Sequence, residues 1–199
     1  MGNNKKKETI VVDTRNQSIY HPEIQQLESL GFSLYKAALP VGDYAIMSKE
    51  YTEILQTRHV EAFCKHLYKD KDIAIVSSRI DFAGTYHKAV DTKTSIVELY
   101  LNLVLIADRY RFERELLRAR NLGIDLLVLI TDQDYRSKED IITFESPFGY
   151  KDAGIQTLER MEQLEKEYPV QFGFLGEGEK AGKKIVDFLL DGTSSANGK

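Results

Sequence analysis

The sequence predicts an α/β fold, with helices covering both faces of a mixed sheet, and three observations support this. Short apolar runs of strand character alternate along the chain with longer segments of helical periodicity. Residues 124–130 are apolar almost throughout, as in a strand that is buried on both faces. The length of 199 residues suits one domain with a sizeable core.

The first part of the chain predicts three strands and one helix. An amphipathic helix over residues 22–30 begins at Pro22 and ends at Gly31, and it carries Ile24, Leu27 and Leu30 on one face. Three segments each contain a short apolar run bounded by polar or turn residues, which predicts a strand. They cover residues 8–13, 32–37 and 43–48. Further along, helical spacing over 60–67 and a short apolar run over 72–77 predict one more helix and strand.

The second part predicts alternating strands and helices. After a strand over 86–92, one continuous helix is expected from Thr94 or Ser95 to near Gly123. Its apolar stripe consists of Leu99, Leu103, Ile106 and Tyr110. The remaining segments are a strand over 124–130, a polar mobile loop over 132–154, a helix over 154–168, a strand over 170–175 and a helix over 181–190. Residues 1–7 and 192–199 are expected to be disordered tails that flank a single domain over 8–191.

Three acidic residues follow apolar runs, which is how a strand delivers a polar side chain to the edge of a sheet. They are Asp13, Asp43 and Asp91, and Lys93 follows two residues after the last. Because side chains alternate along a strand, Asp91 and Lys93 share a face. Two carboxylates and a lysine suit Mg²⁺-assisted phosphodiester cleavage, since Mg²⁺ prefers oxygen ligands and the lysine can orient the attacking water. The alternative is that these aspartates are ordinary turn or cap residues.

Three motifs in this order resemble the XPF-type nuclease domain, which carries V-D-x-R-E, then G-D-Y, then E-R-K. They are residues 11–15 (VVDTR), 39–44 (LPVGDY) and 90–95 (VDTKTS). The following helix signature looks like that of the short, single-domain phage and bacterial members. The resemblance covers residues 8–132 well and 158–190 more weakly. It implies a restriction-endonuclease-like core of the PD-(D/E)xK type, with a mixed sheet flanked by helices.

The sequence departs from the family pattern at three positions and in one spacing. Asp91 stands where the family has Glu, Thr92 where it has Arg, and Asn16 where it has the Glu of the first motif. Asp in place of Glu stays within the wider (D/E)-x-K pattern. The gap between Asp43 and Asp91 is longer than in the family, so an insertion is expected over about residues 48–86.

The resemblance implies a DNA endonuclease that depends on Mg²⁺ or Mn²⁺ and acts on branched or flapped DNA with single-strand/double-strand junctions. Asp43 and Asp91 would bind the metal, Asp13 would complete the acidic cluster, and Lys93 would position the water. Arg15 would lie near the phosphate. A homodimer through the nuclease domain is also implied. The alternative is a catalytically inactive DNA-binding or scaffold protein of the same fold, although such a protein has no chemical reason to retain these acids and the lysine.

A basic stripe and one further acid complete the candidate residues. Arg111, Arg114 and Arg118 recur on one helix face and could bind DNA, or they could form ion pairs with Glu113 and Glu115 on a solvated face. Glu98 follows in the first turns after Lys93. It either supports the metal through a water or favours the helix dipole.

Composition narrows the class of protein. The net charge of −4 argues against a nucleic-acid coat protein but leaves a nuclease open. His59, Cys64 and His66 match no structural zinc spacing, no phosphate-binding glycine motif follows a strand, and residues 176–185 favour a loop over a helix-hairpin-helix motif. A single cysteine and the lack of a membrane-spanning or signal segment indicate a soluble, intracellular protein. The resemblance to short phage and bacterial members implies the cytoplasm of a bacterium or of a phage-infected host.

Overall fold

The computed structural model describes residues 8–13, 22–46 and 85–191. Within these residues six strands form a single sheet. In chain order they are β1 (Thr9–Asp13), β2 (Ser33–Ala37), β3 (Tyr44–Ile46), β4 (Lys88–Lys93), β5 (Asp125–Ile130) and β6 (Val170–Phe174). The described helices are α1 (Pro22–Ser29), α2 (Ile96–Val104), α3 (Ile106–Leu122), α4 (Lys138–Ile141), α5 (Ala153–Glu167) and α6 (Ala181–Leu190).

The sheet is mixed, as the sequence predicts. Its strand order is β2-β1-β3-β4-β5-β6. β1 is parallel to β2, and β4, β5 and β6 are parallel to one another. β3 runs antiparallel to both of its neighbours, β1 and β4. The start of β3 therefore lies at the same edge of the sheet as the carboxyl ends of β1 and β4.

Alternation along the strands divides the core into two layers. Val11 and Ala89 face a larger cluster that includes residues of α2, α3 and α5. Their neighbours Ile10 and Val90 face a smaller cluster with Leu27 of α1 and residues of α6. Helices thus cover both faces of the sheet. Burial of each such side chain contributes about 1.5–3 kcal/mol to the free energy of folding.

The predicted helix from 94 or 95 to Gly123 is wrong as a single element. At Leu105 the backbone is extended (φ −75°, ψ 129°), so the chain leaves α2 and begins α3 there. The break changes which face of the chain points inwards. Leu99 and Leu103 are buried as predicted, but Ile106 and Tyr110 are 67% and 56% exposed. Gly123, in the left-handed conformation at φ 66°, ends α3 where the sequence placed the end.

The predicted loop over 132–154 is also more structured than expected. It contains α4, and both Ile141 and Phe144 are buried in the larger core cluster. The rings of Phe144 and Tyr100 lie 5.5 Å apart, and Gly154 donates its N–H to the carbonyl of Phe144. Two apolar side chains within a polar stretch are therefore enough to fix this segment to the core.

The other predicted elements agree with the structure to within two residues. The exposed fraction of Leu30, however, is 49%, so it does not join Ile24 and Leu27 in the core. The predicted elements at 60–67 and 72–77, most of the expected insertion and both tails lie outside the described residues. No helix of the described part of the chain has the length and apolar character needed to cross a bilayer.

Candidate active site

Three predicted acids come together across adjacent strands at one edge of the sheet. Asp13 ends β1, Asp43 directly precedes β3 and Asp91 lies in β4. The backbone N–H of Asp13 donates to the carbonyl of Asp43 at 2.8 Å, and the N–H of Asp43 donates to the carbonyl of Val90 at 2.7 Å. The antiparallel course of β3 therefore places Asp43 between the two parallel-strand ends that carry Asp13 and Asp91.

Asp91 and Lys93 form a buried ion pair. Their side chains follow Ala89 on the same face of β4, and each is 9% exposed. Lys93 Nζ lies 2.8 Å from Asp91 Oδ2 and 3.6 Å from Glu98 Oε1. The ring of Phe112 in α3 lies 6.0 Å from the same ammonium group. The prediction that Asp91 and Lys93 lie on the same face of a strand, because side chains alternate along it, is thus confirmed by this ion pair.

Glu98 belongs to the start of α2. Its backbone N–H donates to Ser95 Oγ at 3.2 Å, and its carboxylate accepts from the N–H of Thr94 at 3.1 Å. This is the reciprocal pattern of a helix-capping pair, displaced by one residue. Glu98 therefore caps the helix, as one interpretation of the sequence expects, and at the same time faces Lys93. Its support of the metal through a water stays a prediction.

Asp43 is oriented by the residue between Asp91 and Lys93. Its Oδ2 accepts from the Thr92 backbone N–H at 2.9 Å and from Thr92 Oγ1 at 2.8 Å. Thr92 is the residue that stands where the resembled family has Arg. Here it fixes one oxygen of Asp43, Oδ2, through two hydrogen bonds.

Asp13 is buried and is anchored differently. Its Oδ1 accepts from the backbone N–H of Leu39 at 3.3 Å. This contact ties the carboxyl end of β1 to the segment that leads to Asp43. The role of Asp13 as a metal ligand stays a prediction.

Residues 39–43, which we call the Asp43 loop, are held by side chains from distant parts of the chain. Tyr86 Oη accepts from the Val41 N–H and donates to the Val41 carbonyl, at 3.3 and 3.2 Å. Arg118 Nε donates to the Pro40 carbonyl at 2.9 Å, and the Gly42 N–H donates to Glu115 Oε1 at 2.8 Å. The loop is therefore braced by α3 and by the segment before β4.

Gly42 is required by its surroundings as well as by its backbone. Its φ is +75°, in the left-handed region that side chains disfavour. A Cβ at this position would lie 2.8 Å from Ala89 Cβ and 3.1 Å from the Val90 carbonyl oxygen. The G-D-Y motif therefore packs directly on β4, and this contact fixes the position of Asp43 relative to β4.

Burial of several carboxyl groups with one lysine makes the site strongly polarised. Burial first, and then the charge of Asp91, raise the pKa of Asp43 from 3.8 to about 8, against the hydrogen bonds from Thr92 and the charge of Lys93. The same two causes raise the pKa of Glu115. Burial alone would lower the pKa of Lys93, but the charges of Asp91 and Glu98 outweigh it and raise that pKa. Burial therefore favours the neutral form of Asp43 and Glu115, while the neighbouring carboxylates favour the charged form of Lys93.

This donor set fits Mg²⁺ or Mn²⁺ with few protein ligands. In residues 8–13, 22–46 and 85–191 there is no group of three or more His, Cys, Asp or Glu side chains arranged around a metal position. Mg²⁺ is commonly bound by one or two carboxylates, with water and substrate phosphate as its other ligands. Asp43 and Asp91 supply two such carboxylates, and the raised pKa of Asp43 indicates a site that a cation would stabilise.

The predicted DNA-binding arginines occupy different environments. Arg111 lies on the exposed side of α3, where it pairs with Asp108 at 3.5 Å, and Arg114 is also exposed. Arg118 is partly buried and donates to the Asp43 loop. Arg15 lies outside the described residues. Arg111 lies four residues before Glu115, and Arg118 lies three residues after it, so the three residues share one face of α3. This face borders the site, because Glu115 and Arg118 both contact the Asp43 loop.

Glu115 is the site residue that the sequence interpretation missed. The pattern of charges on α3 suggested an ion pair with a neighbouring arginine, whereas its carboxylate accepts from Gly42. Its neighbour Glu113, two residues earlier, pairs with Arg109 and Arg160 instead. The sequence held no signal that separates Glu115 from Glu113, since both lie between Arg111 and Arg118 on the same helix.

Comparison with solved structures identifies the class of fold. XPF from Aeropyrum pernix matches with a TM-score of 0.51 and 14% sequence identity, over 91% of this chain and 59% of that chain. XPF from Aeropyrum pernix in complex with DNA matches with a TM-score of 0.55 and 15% identity, over 97% of this chain and 68% of that chain. No family model matches the sequence, and no curated protein does.

The chain has an XPF-like fold, which is a restriction-endonuclease-like fold, as the sequence predicts. The chain spans 59% of the length of the first of these structures. At this level of identity the likeness concerns the fold, and the argument for function depends on the residues of the site itself.

Proposed function

We propose that this protein is a metal-dependent DNA endonuclease that hydrolyses phosphodiester bonds. The observation that carries the proposal is the placement of Asp43, Asp91 and Lys93 at one edge of an XPF-like sheet, with the pKa of Asp43 raised to about 8. A buried carboxyl with a strongly raised pKa beside a second carboxylate is typical of a functional site. Burial of such a pair also costs desolvation free energy, so the pair would destabilise the fold if it served folding alone.

Each side chain has a separate role in the proposed reaction. Asp43 and Asp91 would hold Mg²⁺ or Mn²⁺, which when bound stabilises charge on the phosphate and activates water. Thr92 keeps one oxygen of Asp43 fixed. Lys93, with its raised pKa, remains an ammonium group at neutral pH. It therefore acts through charge and hydrogen bonding on the water and phosphate, and it does not serve as the base.

DNA is the proposed substrate. One of the two similar structures is a complex with DNA. In this chain the exposed Arg111 and Arg114 lie on the helix that borders the site, and they can neutralise backbone phosphates on either side of the cut. Arg15 and Arg118 are proposed to act closer to the scissile phosphate. Selectivity for branched or flapped DNA, and a homodimer, are parts of the proposal that derive from the family resemblance.

Cleavage of labelled DNA tests the proposal directly. Flap, fork, bubble and plain duplex substrates would be incubated with Mg²⁺, with Mn²⁺ or with a chelator. Asp43→Ala is the test variant. Asp187→Ala is the matched control, because Asp187 pairs with Lys183 on the exposed face of α6. We expect metal-dependent cleavage by the wild type and the control and none by Asp43→Ala, with branched substrates cut faster than plain duplex.

A DNA-binding protein without activity is the second candidate function. It is favoured by the ion pair with Lys93, which engages Asp91. Binding of branched DNA without cleavage in either metal would support this candidate and contradict the first.

A further inference from the structure

The N–H of Gly42 lies outside the hydrogen-bond ladder of the sheet. β3 begins at Tyr44, and the N–H of Asp43 pairs with the carbonyl of Val90. The backbone is left-handed at Gly42, and the N–H of Gly42 faces α3, where it donates to Glu115 Oε1 at 2.8 Å. A buried N–H needs such an acceptor, so Glu115 determines whether this peptide can keep its orientation.

We propose that Glu115 is a positioning residue for the metal site, because its carboxylate holds the Val41–Gly42 peptide, and with it the turn at Gly42 that directs Asp43 towards Asp91. The proposal rests on the function proposed above, in which Asp43 and Asp91 bind the metal. It adds an outer contact from α3 that the D-x-K and G-D-Y motifs do not contain.

A second contact from the same helix supports this role. Arg118 lies three residues after Glu115, on the same side of α3, and it donates to the carbonyl of Pro40. Two adjacent side chains of α3 thus hold two peptides of the Asp43 loop, one as acceptor and one as donor.

The loop has little freedom to adjust if the contact with Glu115 is lost. Gly42 packs so closely on β4 that a Cβ built on it would overlap Ala89 and the Val90 carbonyl, which leaves little room for movement in that direction. Loss of the acceptor therefore leaves outward movement, which also displaces Asp43. Outer contacts that orient a metal-binding side chain typically change metal affinity by 10–100-fold.

Glu115 could instead act through its charge, because it is close enough to Asp91 to feel that carboxylate. Two conservative substitutions separate the roles. Glu115→Gln keeps an oxygen acceptor at the same reach and removes the charge. Glu115→Asp keeps the charge and shortens the side chain by one methylene group, which withdraws the acceptor from Gly42.

The test is Mn²⁺ binding, followed by the electron paramagnetic resonance signal of free Mn²⁺, for the whole chain and its variants. Glu113→Gln is the matched control, because it removes one negative charge from the same helix at a residue that pairs with Arg160. We expect Glu115→Gln and Glu113→Gln to bind within about 3-fold of the wild type, and Glu115→Asp to bind at least about 10-fold more weakly.

The opposite order, with weak binding by Glu115→Gln and wild-type binding by Glu115→Asp, would overturn the positioning role in favour of charge. Equal binding by all variants would overturn any role. Hydrogen exchange at the Gly42 amide gives a reading that needs no metal: we expect protection in the wild type and Glu115→Gln, and fast exchange in Glu115→Asp. If the wild type binds no Mn²⁺ while this exchange pattern holds, the function proposed above fails and the hydrogen-bond role of Glu115 stands.

Discussion

The buried carboxyl of Asp43 should make the metal-free protein less stable as the pH rises. Its pKa is raised from 3.8 to about 8, so between these values the folded state binds a proton that the unfolded state has released. Stability from this group is fully present below pH 3.8 and is lost as the pH rises to about 8. Asp43→Asn keeps the shape and the acceptor for Thr92, and it removes the titration.

The magnitude follows from the pKa values. Each pKa unit corresponds to about 1.4 kcal/mol, which sets a ceiling of about 6 kcal/mol for the loss above pH 8. Although its carboxyl is largely enclosed, Asp43 as a whole residue is partly exposed, and it shares its titration with neighbouring carboxyls, so we expect about 2–3 kcal/mol. For a chain of this size, that is about 4–12 °C in the melting temperature.

The assay is urea unfolding of wild type and Asp43→Asn in a chelator, at pH 5 and pH 9. We expect the variant to be more stable than the wild type at pH 9 by about 2–3 kcal/mol, and by clearly less at pH 5. Added Mg²⁺ should then stabilise the wild type more than the variant. A variant that is less stable than the wild type at pH 9, or one with the same difference at both pH values, would refute the reasoning about burial at this site.

Three further predictions concern packing, chemistry and DNA binding. Gly42→Ala should lower the free energy of unfolding by about 2–4 kcal/mol, through backbone strain and overlap with β4. Gly149 has the same φ but open space around it, so Gly149→Ala should lower the free energy of unfolding by only about 1–2 kcal/mol. Equal losses for the two variants in urea unfolding would contradict the close packing of Gly42 on β4. Lys93→Gln should reduce kcat for DNA cleavage by about 100-fold while Mn²⁺ still binds, and unchanged cleavage would remove Lys93 from the site. Replacing Arg111 and Arg114 together by Ala should reduce the slope of log affinity against log salt by about 2 in fluorescence anisotropy with flap DNA, and an unchanged slope would show that α3 does not touch the phosphates.

Local patterns in the sequence were sufficient for the strands and for the pair on β4. The apolar runs gave all six described strands, because a strand needs only a few consecutive residues and its periodicity is short. The same rule placed Asp91 and Lys93 on one face, where they form the 2.8 Å ion pair. Local sequence patterns therefore predicted contacts correctly where both residues lie in the same strand.

Two kinds of feature could not be predicted in this way. The break at Leu105 moves the buried face from Leu99 and Leu103 in α2 to Phe112 and Leu116 in α3, and no proline or glycine marks it in the sequence. The contact between Glu115 and Gly42 joins residues that are 73 positions apart. Nothing in the pattern of charges along α3 distinguishes Glu115 from Glu113, because the difference arises only when the helix lies beside the Asp43 loop.

The long separation of the contacts around the Asp43 loop has a consequence for how the site arises during folding. The loop makes hydrogen bonds with partners 26, 45, 73 and 78 residues away in the chain. Contacts between distant segments form only after the chain entropy of the intervening loops has been lost. The helices that cover the sheet are joined over still longer distances, since Gly182 of α6 donates to Gln26 of α1, 156 positions away. The Asp43 loop should therefore become ordered together with the tertiary fold. Competence to bind metal should appear in refolding no earlier than the near-ultraviolet circular dichroism signal of the packed tyrosines.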